Sequence, residues 1–220
     1  MTDLDHTIGV WTERLRAIAQ TGLAFDPHAY DRERYEELLK LAGDMAATRA
    51  NLATDAAVSQ SHYDRWRAEV GAREKGYVTP KVGVGAVVFN TQDELLLVKR
   101  AQTGNWLYVT GWADIGYAPA EVAVKEVLEE TGLRVTPLRL IAVYDSLRRA
   151  QPNYDNHFWS VTFLCRLDGG DLRGHAHETL DLGFFARDRL PAPLSRDGVP
   201  WIAHCFEAHA GTLLEPYFDG

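Results

Sequence analysis

The chain has 220 residues, enough for one sizeable core, or for one core with a small appended module. Its 46% hydrophobic and 25% charged content is that of a globular protein. Its net charge of -8 leaves no basic footprint for nucleic acid or an anionic membrane. An acidic enzyme still binds phosphates when a divalent cation bridges them, so a phosphorylated substrate stays open. Cys165 and Cys205 lie far apart without CxxC spacing. They read as small buried hydrophobes in a reducing compartment rather than as zinc or redox ligands. The start Met1-Thr2-Asp3-Leu4-Asp5 is acidic and no apolar run reaches membrane length, so a cytoplasmic protein with no membrane span is expected.

Residues 1–72 read as helical. Ile8, Trp11, Leu15 and Ile18 recur at helical spacing, and Thr21-Gly22 ends that helix. Tyr35, Leu38, Leu39, Ala42 and Met45 share one face of a second helix, and a weaker pattern runs from 54 to 70. Such helices cannot bury their apolar stripes alone. They must pack on each other, on the rest of the chain or on a second copy. A homodimer through these helices is therefore expected, and they are also candidates to form part of the substrate pocket. Binding of DNA by this region is not expected, because Arg32, Arg34 and Lys40 are outnumbered by Asp31, Glu33, Glu36, Glu37 and Asp44.

A boundary near 71–80 separates this region from a second domain over 77–220. Val82–Phe89 and Glu94–Arg100 read as a hairpin about the turn 90–93. A loop rich in Gly and Trp runs from Gly104 to Pro119. A helix follows with Ala120, Ala123, Val124, Val127 and Leu128 on its apolar face, opened by Pro119 and capped by Gly132. Two strands at 134–147 and 156–167 turn near Asn153–Asn156, and a short strand at 182–186 and a helix at 199–210 complete the pattern. The fold class expected is α+β: a mixed sheet with helices packed on it, preceded by a small all-α domain.

Glu126, Glu129 and Glu130 stand at i, i+3 and i+4 near the end of the 119–132 helix. Like charges at that spacing repel, and the helix dipole disfavours anions there. Alone, such a face is an ordinary solvated surface. Three carboxylates in an unfavourable place also suit a hard cation, Mg²⁺ or Mn²⁺ as a substitute.

The flanking residues carry more. With Gly111 upstream, Glu126, Val127, Glu129, Glu130, Gly132 and Leu133 resemble the Nudix box, Gly-x5-Glu-x7-Arg-Glu-U-x-Glu-Glu-x-Gly-U, where U is a bulky aliphatic residue. The spacing from Gly111 to Gly132 fits without a gap. Tyr117 stands where the first Glu is expected and Lys125 where Arg is expected. In the family these two brace the loop on the helix by a salt bridge, and their joint change reads as a rebuilt support. Tyr108-Val109-Thr110 replaces a common Pro-Gly turn. Residues 111–117, and 15–23 near the start, are similar to a subgroup with an N-terminal helical domain, in which a Tyr at the Tyr117 position looks normal. That subgroup hydrolyses nucleoside diphosphates linked to another group, CDP-choline and ADP-ribose among them.

The resemblance implies an α/β/α sandwich and Mg²⁺-dependent cleavage of such a small-molecule diphosphate. Glu126, Glu129 and Glu130, with the Gly111 carbonyl, would hold the metal. Glu126 is the first candidate for the base. Glu178, in the patch Glu178-Thr179-Leu180-Asp181, is the second candidate for base or ligand. An ordinary loop glutamate is the competing reading, and His175 and His177 beside it read as exposed loop residues. Arg100, Trp112, Tyr117 and Tyr144 are candidates for substrate contact, with Phe158 and Trp159 as further wall residues of which one faces the core. Arg148, Arg149 and His157 read as solvated loop positions. The competing function is a Nudix-fold binding or regulatory module. Tyr117 and Lys125 favour it, and the intact glutamates argue against it.

Overall fold

The computed structural model describes residues 3–25, 27–49, 56–70, 79–114, 116–148, 157–174, 178–195 and 201–219. The chain divides into two compact units, residues 1–80 with 152–157, and residues 81–151 with 158–220.

The first unit is three helices: α1 (Asp3–Ala24), α2 (Ala29–Arg49) and α3 (Ala56–Glu69). Ala19, Leu23, Leu39, Ala42 and Trp66 form its core. Polar groups join them. Gln20 Nε2 donates to the Trp66 carbonyl at 2.7 Å, and the Glu13–Arg16 pair, 2.8 Å apart, is buried. The apolar face expected for α1 does not all turn inward: Trp11 and Ile18 are exposed.

The second unit is built on one mixed sheet, as expected for the class. Strands β1 (Lys81–Phe89) and β2 (Leu95–Arg100) form the expected hairpin, with Asn90 Oδ1 accepting the Gln92 and Glu94 amides in the turn. They pair at Phe89 and Leu95 and then part. β1 runs between β4 (Val109–Trp112) and β6 (Phe158–Gly170), antiparallel to the first and parallel to the second. β2 runs between β3 (Trp106–Leu107) and β7 (Thr179–Phe185). β5 (Leu133–Asp145) lies beyond β6, and the two-residue β8 (Tyr217–Phe218), unforeseen in the sequence, edges it. The stretch expected to be a loop from Gly104 thus contains two short strands. Tyr108-Val109-Thr110 leads into β4, because its amides find partners along β1.

Two helices cover this unit. α4 (Pro119–Thr131) buries Val122, Ala123 and Val127 against Val84, Ala86, Val88 and Val98. Leu128, expected on that face, is exposed, and Val122 takes the inward place. α5 (Trp201–His209) covers Val87, Phe89, Tyr108 and Leu164 through Trp201, Cys205 and Ala208. Cys165 and Cys205 are buried free thiols. No helix among the described residues is long and apolar enough to cross a membrane.

Candidate active site

The helix α4 is set at both ends. Pro119 occupies its first turn, and the Ala118 amide donates to Glu121 Oε2 at 2.7 Å. Gly132 caps its other end at φ 72°, a left-handed conformation that glycine adopts without strain. The Gly132 amide donates to the Leu128 carbonyl, and the Arg173 amide to that of Thr131. With its apolar line fixed inward, the acids of its last turns lie along the edge of β4.

Gly111 is the meeting point. It lies opposite Val84 on β1, and Val84 belongs to the core that α4 covers, so Gly111 faces the helix. A β-carbon added there would collide with the Glu126 carboxyl group. The first glycine of the pattern thus leaves room for the Glu126 carboxyl in this position, which any side chain there would push aside.

Two further acids join Glu126. Glu130 is buried, at 8% exposure. Its charge interacts with Arg100, Glu126 and Glu178. Arg100 is held by its Nη1, which donates to Thr110 Oγ1 at 2.8 Å. Glu178 is brought to this place by its backbone, whose carbonyl accepts the Ala101 amide at 2.9 Å beyond the end of β2. The structure thus gathers Gly111, Glu126, Glu130, Glu178 and Arg100. His175 and His177 lie outside the described residues.

Lys125 occupies the remaining side. Its Nζ is 2.7 Å from Asp114 Oδ2, 3.4 Å from Glu129 Oε2 and 3.9 Å from Glu126 Oε1. The loop is therefore tied to the helix by Lys125 and Asp114. Tyr117, at the position of the family's usual acid, is exposed. The brace has moved three residues along the loop. Asp114 was missed in the sequence, although an acid between Gly111 and the helix start was the signal for it.

The electrostatics show how crowded the acids are. Burial pushes the Glu130 carboxyl up to about 7, helped by Glu126 and Glu178 and opposed by Arg100. Burial also raises Glu126, with the charge of Lys125 opposing it and those of Glu129, Asp114 and Glu178 adding to it. Lys125 is held above its ordinary range by its hydrogen bond to Asp114 and the charges of Glu129 and Glu126. The raised Glu130 and Glu126 carboxyls, with the Lys125 ammonium among them, mark a place that favours added positive charge. The all-oxygen donor set suits a hard cation. Among the described residues no group of three or more acids, histidines or cysteines is close enough to hold an ion as it stands.

The aromatic candidates divide. Trp112 and Phe158 meet edge to face, ring centres 5.2 Å apart, with Lys81 Nζ 6.0 Å from the Trp112 ring centre. Trp112 follows Gly111 in β4 and so points to the opposite face of the sheet from the acids. Trp159 points to the other side of β6 and is exposed, so neither Phe158 nor Trp159 is a core residue. Tyr144 departs from expectation. It is 2% exposed, and its hydroxyl shares a hydrogen bond of 2.9 Å with His204 Nδ1, which makes it a core residue under α5. Arg148 is exposed as expected, His157 is half-buried, and Arg149 lies outside the described residues.

Comparison with known proteins agrees with this geometry. Residues 79–206 match the model of the NUDIX domain. Residues 7–60 match that of a UDP-X-like N-terminal oligomerisation domain. YjhB of Bacillus subtilis, provisionally named an ADP-ribose pyrophosphatase, is 40% identical over 184 residues, 83% of this chain and 82% of its own. A crystal structure of a UDP-X diphosphatase matches 98% of this chain and 99% of its own at 30% identity, with a TM-score of 0.57. That of an ADP-ribose pyrophosphatase from Streptococcus suis matches 64% of this chain and 100% of its own at 36% identity, with a TM-score of 0.55. Pattern, fold and relatives coincide on the loop and helix that bring Gly111 to Glu126, and the chain belongs to the Nudix family of hydrolases.

Proposed function

We propose that this chain hydrolyses the pyrophosphate bond of a nucleoside diphosphate linked to another group, with Mg²⁺ as cofactor and Mn²⁺ able to substitute. ADP-ribose is the leading substrate, with CDP-choline-like and UDP-linked compounds of the same chemistry beside it. The observation that carries the reading is the Glu126 carboxyl seated over Gly111, with Glu130 and Glu178 close enough to share its field. The names of YjhB and of the UDP-X diphosphatase support the substrate class.

Glu126, Glu129 and Glu130, with the Gly111 carbonyl, would hold the cation. Once bound it would neutralise phosphate charge and acidify a bound water. Glu126 takes the proton of the attacking water, and Glu178 is the alternative base. Arg100, fixed on Thr110, meets the phosphates, for which its planar fork is suited. Trp112 and Tyr117, both exposed, contact the rest of the substrate. Residues 1–72 form a domain that joins two copies into a homodimer, and residues 77–220 form the hydrolase domain.

The test is phosphate release, after phosphatase treatment, from ADP-ribose, CDP-choline, UDP-glucose, NADH and nucleoside triphosphates, with and without Mg²⁺. Metal-dependent turnover of one linked diphosphate, lost in Glu129→Gln, is expected. Absence of turnover in wild type and variant alike would overturn the reading in favour of a binding module.

A further inference from the structure

Helix α1 buries a row of polar groups beside its core residues Ala19 and Leu23 and leaves large apolar ones outside. Its inward side carries Thr12, Glu13, Arg16 and Gln20, all under 9% exposed. Its outward side carries Leu4 at 65% exposure, Trp11 at 52% and Ile18 at 54%, and Phe25 follows in the next turn at 50%. A chain that stayed alone in water would gain by covering those four side chains.

The outward residues are also spaced for a partner helix. Positions 4, 8, 11, 15, 18, 22 and 25 advance by alternating steps of four and three. They are Leu, Ile, Trp, Leu, Ile, Gly and Phe. That is the seven-residue repeat of a helix packed on helices, sustained over three repeats. The structure uses only part of it. Leu15 packs partly on the unit's own core, and Gly22 lies under the Tyr35 ring. The other line, Leu4, Trp11, Ile18 and Phe25, is left outside.

We propose that this line is the seam on which a second copy of the chain packs through its own α1. The proposal rests on the homodimer reading above and names the surface that makes it. A self-complementary stripe is what a two-fold dimer needs, since each copy presents the same patch to the other. Half of four large apolar side chains is roughly 400 Å² per copy, about half of an ordinary interface side, so the seam is its apolar centre. Residues 7–60, which contain the seam from Trp11 onward, match the oligomerisation-domain model. A membrane surface fits less well, because α1 carries Arg14 and Arg16 against Asp3, Asp5 and Glu13 and so lacks the basic polar face that anionic lipids select.

The full chain is weighed by light scattering at micromolar concentration as wild type, as Trp11→Glu/Ile18→Glu, and as Leu41→Glu. Leu41 is an exposed apolar residue on α2, away from the seam. Wild type and Leu41→Glu are expected as dimers, and the double variant as a monomer with unchanged far-ultraviolet circular dichroism. A folded double variant that stays dimeric overturns the seam and leaves the dimer standing, as does dissociation by Leu41→Glu. A monomeric wild type overturns both. Should the double variant not fold, Ile18→Ala decides: the seam requires the dimer dissociation constant to rise by about tenfold or more, and no change overturns it.

Discussion

Helices α1 and α4 advertise themselves in the sequence in the same way, by apolar residues recurring every three or four positions. The structure treats them differently. α4 turns Val122, Ala123 and Val127 into a core of strands, and its acids are what remain for function. α1 turns polar groups inward and leaves Trp11 and Ile18 outside. Periodicity therefore establishes that a helix has two sides. It does not say which side the molecule itself covers. For α4 the sheet answers that, because β1 and β4 present a continuous apolar face. For α1, Gln20, Glu13 and Arg16 answer it by pairing inside a small unit.

The sharpest way to break the contrast is Gly111→Ala. The new methyl would strike the Glu126 carboxyl and displace it, and a misplacement on the order of 1 Å costs roughly 100-fold in rate. Steady-state kinetics should show that loss with little change in the unfolding midpoint, since Gly111 lies in extended strand. On α1 the corresponding test is Gln20→Ala. It leaves the buried Trp66 carbonyl without its donor and should lower stability by about 1–3 kcal/mol in urea unfolding, with activity per folded molecule unchanged. The smallest effect separates the units by pH. Burial holds His204 of α5 below its ordinary range. The unfolded chain then takes up the proton more readily than the folded one. The contribution of this neutral histidine is complete above an unfolded value of about 6.5 and is lost as pH falls below it toward the folded value. The urea midpoint should drop between pH of about 7.5 and 5.5, and His204→Gln should lessen the drop.

Much of the second unit was legible because its signals are local. Pro119 and Gly132 bound α4 whatever surrounds it, and the spacing from Gly111 to Glu126 is a property of one turn and one helix. The features that were missed depend on residues distant in the chain. The Arg100 contact to Thr110 exists because β2 and β4 run near each other after the hairpin parts. Tyr144 reads as a free aromatic until His204, 60 positions on, takes its hydroxyl. β8 is two residues long and exists because β5 offers it an edge. Glu178, by contrast, is named by the sequence as the second candidate beside the reading of an ordinary loop glutamate. The Ala101 amide that anchors its carbonyl comes from another strand connection.

The closed end of α4 bears on the order in which things arrive. Its last carbonyls are met by the amides of Gly132 and Arg173, which are neutral donors. Glu126, Glu129, Glu130 and Glu178 outnumber Arg100 and Lys125, the cations whose charges reach Glu130 and Glu126, while the Arg173 side chain lies against Gly132 at the end of the helix. A bare diphosphate drifting toward this place from solution meets a repelling field, on a chain already at -8. A diphosphate that carries its own divalent ion does not. Under the function proposed above, the acids would filter for charge before shape, and the substrate would enter as a metal complex or after the metal.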